Sequence, residues 1–272
     1  IIVDYYGGSI CIRLAENKSP LEHIIVDNII MLNGAGVFPE IRQEGTGVMG
    51  SIRDVYIDRL YLWCDDTDAD VLSNCNFINR VNYVDGLYIG SVIGRKTTDS
   101  YLVNIPNCRN VKINLILGYD LHDFALNIGR GENIDVGVVG AYDTRYYGTL
   151  SIVHASWATS HETRNVHIST VIAYNVAGDG IWLKCLGTSQ KIVDVMIDTI
   201  YTYNCGGVPI YINATGGEIN LHIINERDIH PNYAGIYITG NGGNSTLVID
   251  RLNSEDPRYP NAPDKDRNLS TL

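Results

Sequence analysis

The sequence predicts an all-β chain folded as a right-handed, single-stranded parallel β-helix, a solenoid of about nine coils. The first observation is a repeat in which a small or polar residue, an aliphatic residue, any residue and a second aliphatic residue recur at intervals of 23 to 32 residues. Repeats of this length are typical of solenoids, because one unit cannot bury its apolar face without neighbours above and below. The second observation is the period-two alternation of Ile, Val and Tyr in short runs, which favours strands over helices.

Two series of short runs give each coil at least two strands. The first series opens on nine anchor residues, in chain order Ile24, Val55, Leu87, Val111, Ile134, Val166, Val195, Ile219 and Leu247. The second series is out of phase with the first, at residues 10–12, 71–72, 101–103, 124–126, 150–152, 181–183, 210–212 and 236–238. Asn and Asp tolerate left-handed turns and bond to neighbouring backbone. We therefore expect a structural ladder where such residues precede an anchor, at Asp54, Asn110, Asn133, Asn165 and Asp194.

Composition supports one elongated domain. The chain has 272 residues, and the repeat crosses its midpoint without a linker, so we assign residues 1–252 to the β-helix. Residues 253–272 are rich in Pro and charge, which predicts a tail or linker. An apolar fraction of 45% with 27 Gly and only 3 Phe suits a narrow core of aliphatic residues with Gly at its corners. No run of 18 apolar residues occurs, so membrane insertion is not expected.

Charge and cysteine content narrow the classes of partner. The formal net charge is −11. Nucleic acids and anionic membranes are recognised by clustered Lys and Arg, so neither is an expected partner, whereas a glycan is compatible. The six Cys residues show no Cys-x-x-Cys pair and no spacing typical of a metal site, so we predict buried free thiols and expect neither a metal nor a cofactor. Free thiols indicate synthesis in a reducing cytosol.

The second strand series places three aromatic residues on consecutive coils. Alternation directs Trp182 and Lys184 outward, and Tyr211 and Tyr237 hold the equivalent outward position in the next two coils. Exposed rings can stack sugar rings, which present an apolar face and a polar rim. We therefore expect these three aromatic residues to form a sugar-binding platform. The alternative is an outer aromatic stack that holds coils or subunits together.

Carboxylates cluster where the same strands begin, and His122 lies among them. Glycoside cleavage with inversion needs a carboxylic acid and a carboxylate about 6.5 to 9.5 Å apart. Residues in adjacent coils, about 5 Å apart, can reach that separation with their side chains. The candidate catalytic residues are Asp123 as general acid and Asp99 or Asp120 as base, and the candidate substrate-binding residues are His122, Asp179, Trp182, Lys184, Tyr211 and Tyr237. The alternative is that each Asp is only a turn residue.

Five segments carry a recognisable pattern. They are residues 97–99 (Thr-Thr-Asp), 122–123 (His-Asp), 148–152 (Gly-Thr-Leu-Ser-Ile), 179–184 (Asp-Gly-Ile-Trp-Leu-Lys) and 209–212 (Pro-Ile-Tyr-Ile). This order resembles the polygalacturonase branch of the pectin-lyase-like β-helices, which carries N-T-D, D-D, G-H-G, R-I-K and P-I-x-I. The resemblance implies that Asp99 and Asp123 stand at the family's carboxylates and Lys184 at its substrate-binding lysine. Three other family positions hold His122, Gly148 and Trp182 instead of Asp, His and Arg.

Two further resemblances keep alternatives open. Residues 119–123 (Tyr-Asp-Leu-His-Asp) resemble the D-P-H-D site of β-helical alginate epimerases, with Leu121 in place of Pro. An acidic, Tyr-rich solenoid with unpaired Cys is also similar to bacteriophage tailspike and appendage depolymerases, β-helices that bind and cut host polysaccharide and are often trimeric.

The expected function is that of a glycan-active β-helix, a tailspike or related secreted enzyme that hydrolyses a cell-surface or plant polysaccharide. Its expected location is extracellular or on a virion tail, and a homotrimer is a further expectation. The substitutions at three family positions favour one alternative, a non-catalytic receptor-binding or structural shaft of a viral tail. Polysaccharide lyase or epimerase chemistry is the other alternative.

Overall fold

The structure is a computed structural model, and all of its elements are β-strands. It describes residues 2–4, 11–14, 20–32, 36–43, 50–63, 77–95, 101–154, 161–229, 235–240 and 245–255. The strands in chain order are β1 (Ile2–Asp4), β2 (Cys11–Leu14), β3 (Leu21–Leu32), β4 (Gly36–Gln43), β5 (Ile52–Trp63), β6 (Phe77–Arg95), β7 (Val103–Tyr119), β8 (Leu126–Tyr142), β9 (Leu150–His154), β10 (Glu162–Tyr174), β11 (Ile181–Cys185), β12 (Gln190–Tyr203), β13 (Ile210–Asn213), β14 (Gly217–Ile229), β15 (Ile236–Thr239) and β16 (Thr246–Glu255).

The strands stack in parallel as a β-solenoid, consistent with the predicted right-handed parallel β-helix. Nine long strands and the three-residue β1 follow one another in the order β1-β3-β5-β6-β7-β8-β10-β12-β14-β16, and the shorter β2, β4, β9, β11, β13 and β15 lie off this path. The solenoid has about six turns, somewhat fewer than the nine coils predicted. In β7 and β8 the two separate strands that were expected for a coil run together as one strand.

The predicted anchors align across the long strands, with one exception. Ile24 pairs with Val55, and the series continues in register through every coil to Val195. Val195 then pairs with Leu221 rather than with the predicted anchor Ile219, because the register shifts between Ile192 and Val195. The prediction of Ile219 is therefore wrong by two residues, and Leu221 continues the series to Leu247.

Aliphatic side chains fill the interior. In β11 the two aliphatic residues Ile181 and Leu183 are fully buried while Trp182 and Lys184 are partly exposed, as the alternation predicts. Stacked coils thus bury one continuous core, and this burial is the main favourable contribution to folding.

The predicted Asn and Asp ladder is confirmed by backbone and side-chain geometry. Asp54, Asn110, Asn133, Asn165 and Asp194 all adopt positive φ between 52° and 55°. The Nδ2 of Asn133 donates to Oδ1 of Asn110 at 2.9 Å, and the Nδ2 of Asn165 donates to Oδ1 of Asn133 at 3.0 Å. Asn and Asp adopt this left-handed conformation more readily than other residues with a Cβ, and the ladder bonds one coil to the next.

Three cysteines lie in the described core, and all three are free and buried, as predicted. They are Cys108, Cys185 and Cys205. Burial raises the pKa of the Cys108 and Cys185 thiols to about 12. These thiols are therefore protonated and unreactive at neutral pH.

The C-terminal boundary and the membrane prediction fall partly within the described residues. β16 runs to Glu255, three residues beyond the predicted end of the β-helix at Leu252. The rest of the predicted tail, 256–272, lies outside the described residues. Within the part of the chain that the structure describes, no helix is long and apolar enough to cross a membrane.

Candidate functional site

The three aromatic residues predicted to form a platform lie in register on consecutive short strands. Trp182 pairs with Tyr211, and Tyr211 pairs with Tyr237. The ring centroids of Tyr211 and Tyr237 lie 5.6 Å apart with an interplanar angle of 11°, and those of Trp182 and Tyr211 lie 6.3 Å apart. Tyr237 is half-exposed, with a fractional exposure of 51%.

Three more rings extend this line toward the N-terminal coils. Phe124 lies 5.0 Å from Trp182, centroid to centroid, and 5.4 Å from Tyr147, and Tyr101 lies 6.4 Å from Phe124. Trp182 also packs edge-on against Tyr147 at 4.8 Å. We name the six residues Tyr101, Phe124, Tyr147, Trp182, Tyr211 and Tyr237 the tryptophan row. It has twice as many rings as the row of three that the sequence predicts.

The sequence signal for the added rings is weak. Tyr101 and Phe124 open second-series runs, so an aromatic residue at the start of such a run was the available clue. Both lie outside regular strands, before β7 and β8, and Tyr147 lies in the turn before β9. Alternation does not apply in turns, so the direction of these side chains follows only from the fold.

Asp179 holds the central ring of the tryptophan row in place. Its Oδ2 accepts a hydrogen bond from the indole Nε1 of Trp182 at 2.7 Å, and its Oδ1 accepts one from the backbone N–H of Val208 at 2.7 Å. A Cβ added at Gly207 would collide with this carboxylate, so glycine leaves room for it. Because both oxygens are engaged, Asp179 acts as a positioning group for Trp182.

Lys184 lies between two rings of the row. Its Nζ is 2.9 Å from the centroid of the Trp182 ring and 4.7 Å from that of Tyr211. Burial lowers the pKa of Lys184 to about 8, and the nearby Asp179 carboxylate works in the opposite direction. An ammonium over an aromatic face is attracted to the ring electrons, so Lys184 covers part of the indole surface and places a positive charge in the row.

Asp123 lies at the N-terminal end of the row. Its Oδ1 accepts a hydrogen bond from the backbone N–H of Phe124 at 2.9 Å. Burial raises the pKa of the Tyr101 phenol to about 12, with smaller contributions from Asp123 and Tyr147. The neighbouring His122 packs against the half-exposed ring of Tyr146 at 4.3 Å, centroid to centroid. Asp123 is thus the predicted catalytic carboxylate that the structure brings to the aromatic row.

Asp120 lies in a turn and forms an ion pair with Arg145. Its Oδ1 accepts from Nε of Arg145 at 2.8 Å and its Oδ2 accepts from Nη2 at 3.2 Å. Asp120 also begins a second ladder of positive-φ residues that the sequence did not suggest, followed by Asp143, Asn175 and Asn204. Asn175 bonds to Asp143 and Asn204 bonds to Asn175, each at 3.0 Å. This geometry supports a turn-forming role, while the remaining catalytic candidate, Asp99, lies outside the described residues.

A second line of rings stands directly before the second ladder. Tyr119, Tyr142, Tyr174 and Tyr203 pair in register on β7, β8, β10 and β12. Their successive ring centroids lie 5.1, 6.1 and 4.7 Å apart. We name these four residues the tyrosine row. It runs along the outer surface of the long strands, whereas the tryptophan row follows the short ones.

Two acidic side chains lie inside the core near the C-terminal coils. Glu226 and Asp228 are fully buried, in register with Ile200 and Thr202 of the preceding coil. The Thr202 hydroxyl donates to Asp228 Oδ1. Neither Glu226 oxygen has a hydrogen-bond partner among the described residues. Burial, and secondarily Asp228, raises the pKa of Glu226 to about 8, so this carboxyl is largely protonated at neutral pH.

Within the described ranges, no group of three or more His, Cys, Asp or Glu side chains could hold a metal ion. Comparison of the chain with family models, curated proteins and solved structures found no match. The class that the fold defines is therefore the parallel β-solenoid. The likeness to polygalacturonases rests on motifs in the sequence, and the likeness to tailspikes rests on composition.

Proposed function

We propose that this chain is a glycan-active β-solenoid that receives a polysaccharide along the tryptophan row. The observation that carries the proposal is the continuous contact of six aromatic rings across successive coils. Coils stack at about 4.8 Å, which is comparable to the length of one sugar unit in an extended polysaccharide. Successive sugars can therefore meet the partly exposed rings of the row, while Phe124, which is 1% exposed, only supports its neighbouring rings.

The polar groups of the row suit a sugar ligand. Lys184 offers an ammonium donor, and the hydroxyls of Tyr211 and Tyr237 add donors and acceptors at the ring edges. Sugar recognition combines apolar ring faces with hydrogen bonds at a polar rim, and the row offers both. The indole N–H of Trp182 is already engaged by Asp179, so this ring contributes its surface.

Binding can be tested with a matched pair of exposed tyrosines. Gel mobility of the chain is measured in the presence of bacterial surface polysaccharides and polygalacturonate. Tyr237→Ala removes a ring from the tryptophan row, and Tyr174→Ala removes one of similar exposure from the tyrosine row. We expect at least one glycan to retard the wild type and Tyr174→Ala, with about tenfold weaker retardation of Tyr237→Ala. Absence of binding across the panel, or equal loss in both variants, would reject the proposal.

Hydrolysis of the bound glycan is a second candidate function, and the position of Asp123 beside the row favours it. A general acid must lie next to the bond that it protonates, and of the three predicted catalytic carboxylates Asp123 is the described one that borders the rings. Asp120 is a poor candidate for the base, because both its oxygens are bonded to Arg145. Asp99 is therefore the remaining candidate for the general base.

Reducing-end release separates an enzyme from a non-catalytic shaft. We expect the wild type to release reducing ends from the glycan that it binds, and Asp123→Asn to bind that glycan but lose turnover by at least about a hundredfold. Full activity of Asp123→Asn would remove Asp123 from the catalytic role. Binding without turnover in the wild type would leave the receptor-binding alternative, and an unsaturated product absorbing in the near ultraviolet would indicate a lyase.

A further inference from the structure

The outer surface of the long strands divides into two halves of different chemistry. In the half nearer the start of each strand, residues of opposite charge alternate in register from coil to coil: Glu22, Arg53, Asp85, Arg109, Glu132 and Arg164. Their ion pairs have N–O distances of 3.3, 2.8 and 2.6 Å. In the same half, His167 contacts the carboxylates of Asp135 and Asp198 at 2.9 and 3.0 Å. This half is a charged, solvated surface.

Near the end of each of the eight described strands from β3 to β14 of the main path, three outward positions carry no acidic residue, while Asp27, Asp58 and Asp198 lie at the border with the charged half. Three outward positions on each strand form this acid-free face. In strand order they are Asn28, Ile30 and Leu32; Arg59, Tyr61 and Trp63; Ser91, Ile93 and Arg95; Leu115, Leu117 and Tyr119; Val138, Gly140 and Tyr142; Thr170, Ile172 and Tyr174; Thr199, Tyr201 and Tyr203; and Asn225, Arg227 and Ile229. The tyrosine row is one edge of this face.

The acid-free face is large and presents apolar side chains to solvent. Eight strands at about 4.8 Å and three positions at about 7 Å give roughly 500 Å². That footprint, which includes polar positions such as Ser91 and Thr170, is close to the roughly 600 Å² that one partner contributes to the smaller specific interfaces. Tyr174 and Tyr201 retain fractional exposures of 41% and 44%. Tyrosine is enriched at such interfaces, because it buries a large area and keeps a polar end.

Charge indicates what can cover this face. The chain carries 31 acidic and 20 basic residues, so two copies repel each other over most of their surfaces. On the acid-free face the only charges are three arginines, Arg59, Arg95 and Arg227. On these positions themselves a second copy therefore meets no opposing carboxylate, and Arg59 is paired with Asp58 at the border of the face, 3.1 Å away.

We propose that the acid-free face is the interface of a two-fold symmetric homodimer. A single flat surface that meets its own copy is isologous, which is the geometry of a two-fold axis. The two-fold axis lies in the plane of the interface, parallel to the strands and between β7 and β8. It sets β6 of one copy opposite β10 of the other and β5 opposite β12. Arg95 then faces the strand of Tyr174, and Arg59 faces the strand of Tyr201, so no arginine opposes another. Arginine over an aromatic ring is favourable, as Arg95 already shows over Trp63, where its Cζ lies 5.2 Å from the ring centroid.

The proposal does not depend on glycan binding, since the face excludes the tryptophan row. It also differs from the trimer expected by resemblance, because a three-fold assembly joins two different surfaces of each subunit.

Sedimentation velocity of the full chain at several concentrations tests the interface. Tyr201→Glu and Met196→Glu form a matched pair: both replace exposed apolar residues of β12, one on the acid-free face and the other on the charged half. We expect the wild type and Met196→Glu to sediment as dimers, and the dissociation constant of Tyr201→Glu to rise at least about tenfold. Thr170→Arg, which removes no ring, should weaken the dimer as well. Circular dichroism and thermal melting establish that each variant is folded.

Three outcomes would overturn the proposal. They are a wild type that is monomeric at every concentration, a wild type that is trimeric, and equal dissociation of Tyr201→Glu and Met196→Glu. A monomeric wild type whose glycan binding is abolished by Tyr201→Glu would assign this face to the glycan instead of to a second copy.

Discussion

The tryptophan row and the tyrosine row are built by the same repeat but differ in their neighbours. In the tryptophan row, Asp179 fixes the indole of Trp182, and Lys184 and Asp123 place charges beside the rings. The tyrosine row borders aliphatic and hydroxyl side chains and no carboxylate on its own face. Stacking in register produces both rows. Under our two proposals, the polar groups beside the rings therefore decide which ligand each row binds, a polar glycan or an apolar protein surface.

Burial provides the largest contrast between the rows. Phe124 is 1% exposed and contacts three rings, whereas Tyr174 is 41% exposed. We expect Phe124→Ala to lower the free energy of unfolding by roughly 3–5 kcal/mol. Tyr174→Ala should cost about 1 kcal/mol, mainly its stacking on Tyr203. Urea denaturation of both variants measures the difference, and equal losses would contradict the view that the tryptophan row is packed into the fold and the tyrosine row lies upon it.

The buried acids Glu226 and Asp228 lie near the C-terminal end of the tryptophan row, and Glu226 gives the next prediction. The pKa of Glu226 is raised to about 8, above its value in an unfolded chain. Such a group contributes stability that is fully present below the unfolded pKa and is lost as pH rises through about 8. We expect the melting temperature of the wild type to fall between about pH 5 and pH 9.

Glu226→Gln is the matched variant for this titration, because Gln resembles the protonated carboxyl in shape. At high pH it should be more stable than the wild type by roughly 1–3 kcal/mol, since no charge is then buried, and at low pH the difference should vanish. Parallel pH profiles of the two proteins would show that Glu226 does not titrate in the fold.

The ladder behind the tyrosine row should matter less. Asn175 adopts φ of 51°. Its side chain donates a hydrogen bond to Asp143 and accepts one from Asn204. Asn175→Ala loses these bonds and keeps a Cβ in a left-handed turn, while Asn175→Gly loses the bonds alone. We expect the alanine variant to be less stable than the glycine variant by about 1 kcal/mol. Thermal unfolding of the two proteins decides this, and the opposite order would show that backbone freedom outweighs turn strain.

The smallest predicted effect is spectroscopic and belongs to the tryptophan row alone. Because burial lowers the pKa of Lys184 to about 8, the ammonium over Trp182 should lose its proton near that pH. We expect tryptophan fluorescence to change with a midpoint near pH 8, and Lys184→Met to abolish the change. Lys191→Met on the outer surface is the control and should keep it, since Lys191 pairs with Glu218 instead of with a ring. A titration that survives Lys184→Met would place its origin elsewhere.

Alternation and repeat length predicted the fold because a narrow core forces each coil to bury equivalent positions. The anchor at Ile219 failed since β14 has one residue fewer than β12 at this point, and a repeat pattern does not reveal a deletion of that size. The interior position of Glu226 was also hidden, because an acidic residue in an alternating strand normally faces outward.

For the site, the sequence predicted the rings on regular strands and missed those in turns. Trp182, Tyr211 and Tyr237 follow from strand periodicity, but the orientation of Tyr147 depends on the turn before β9. The ion pair of Asp120 with Arg145 joins residues 25 positions apart, which only the stacking of two coils brings together. Local spacing therefore made Asp120 appear equivalent to Asp123, and the fold separates them.

The most direct test of the central claim is the dependence of affinity on glycan length. Isothermal titration of the wild type with a size series of oligosaccharides, prepared from the glycan that it binds, reports whether the ligand lies along the row. A site of five partly exposed rings, on coils about 4.8 Å apart, predicts that affinity rises with each added sugar up to about five units, and that Tyr211→Ala shortens this range. Full affinity for a single sugar or a disaccharide would contradict the account.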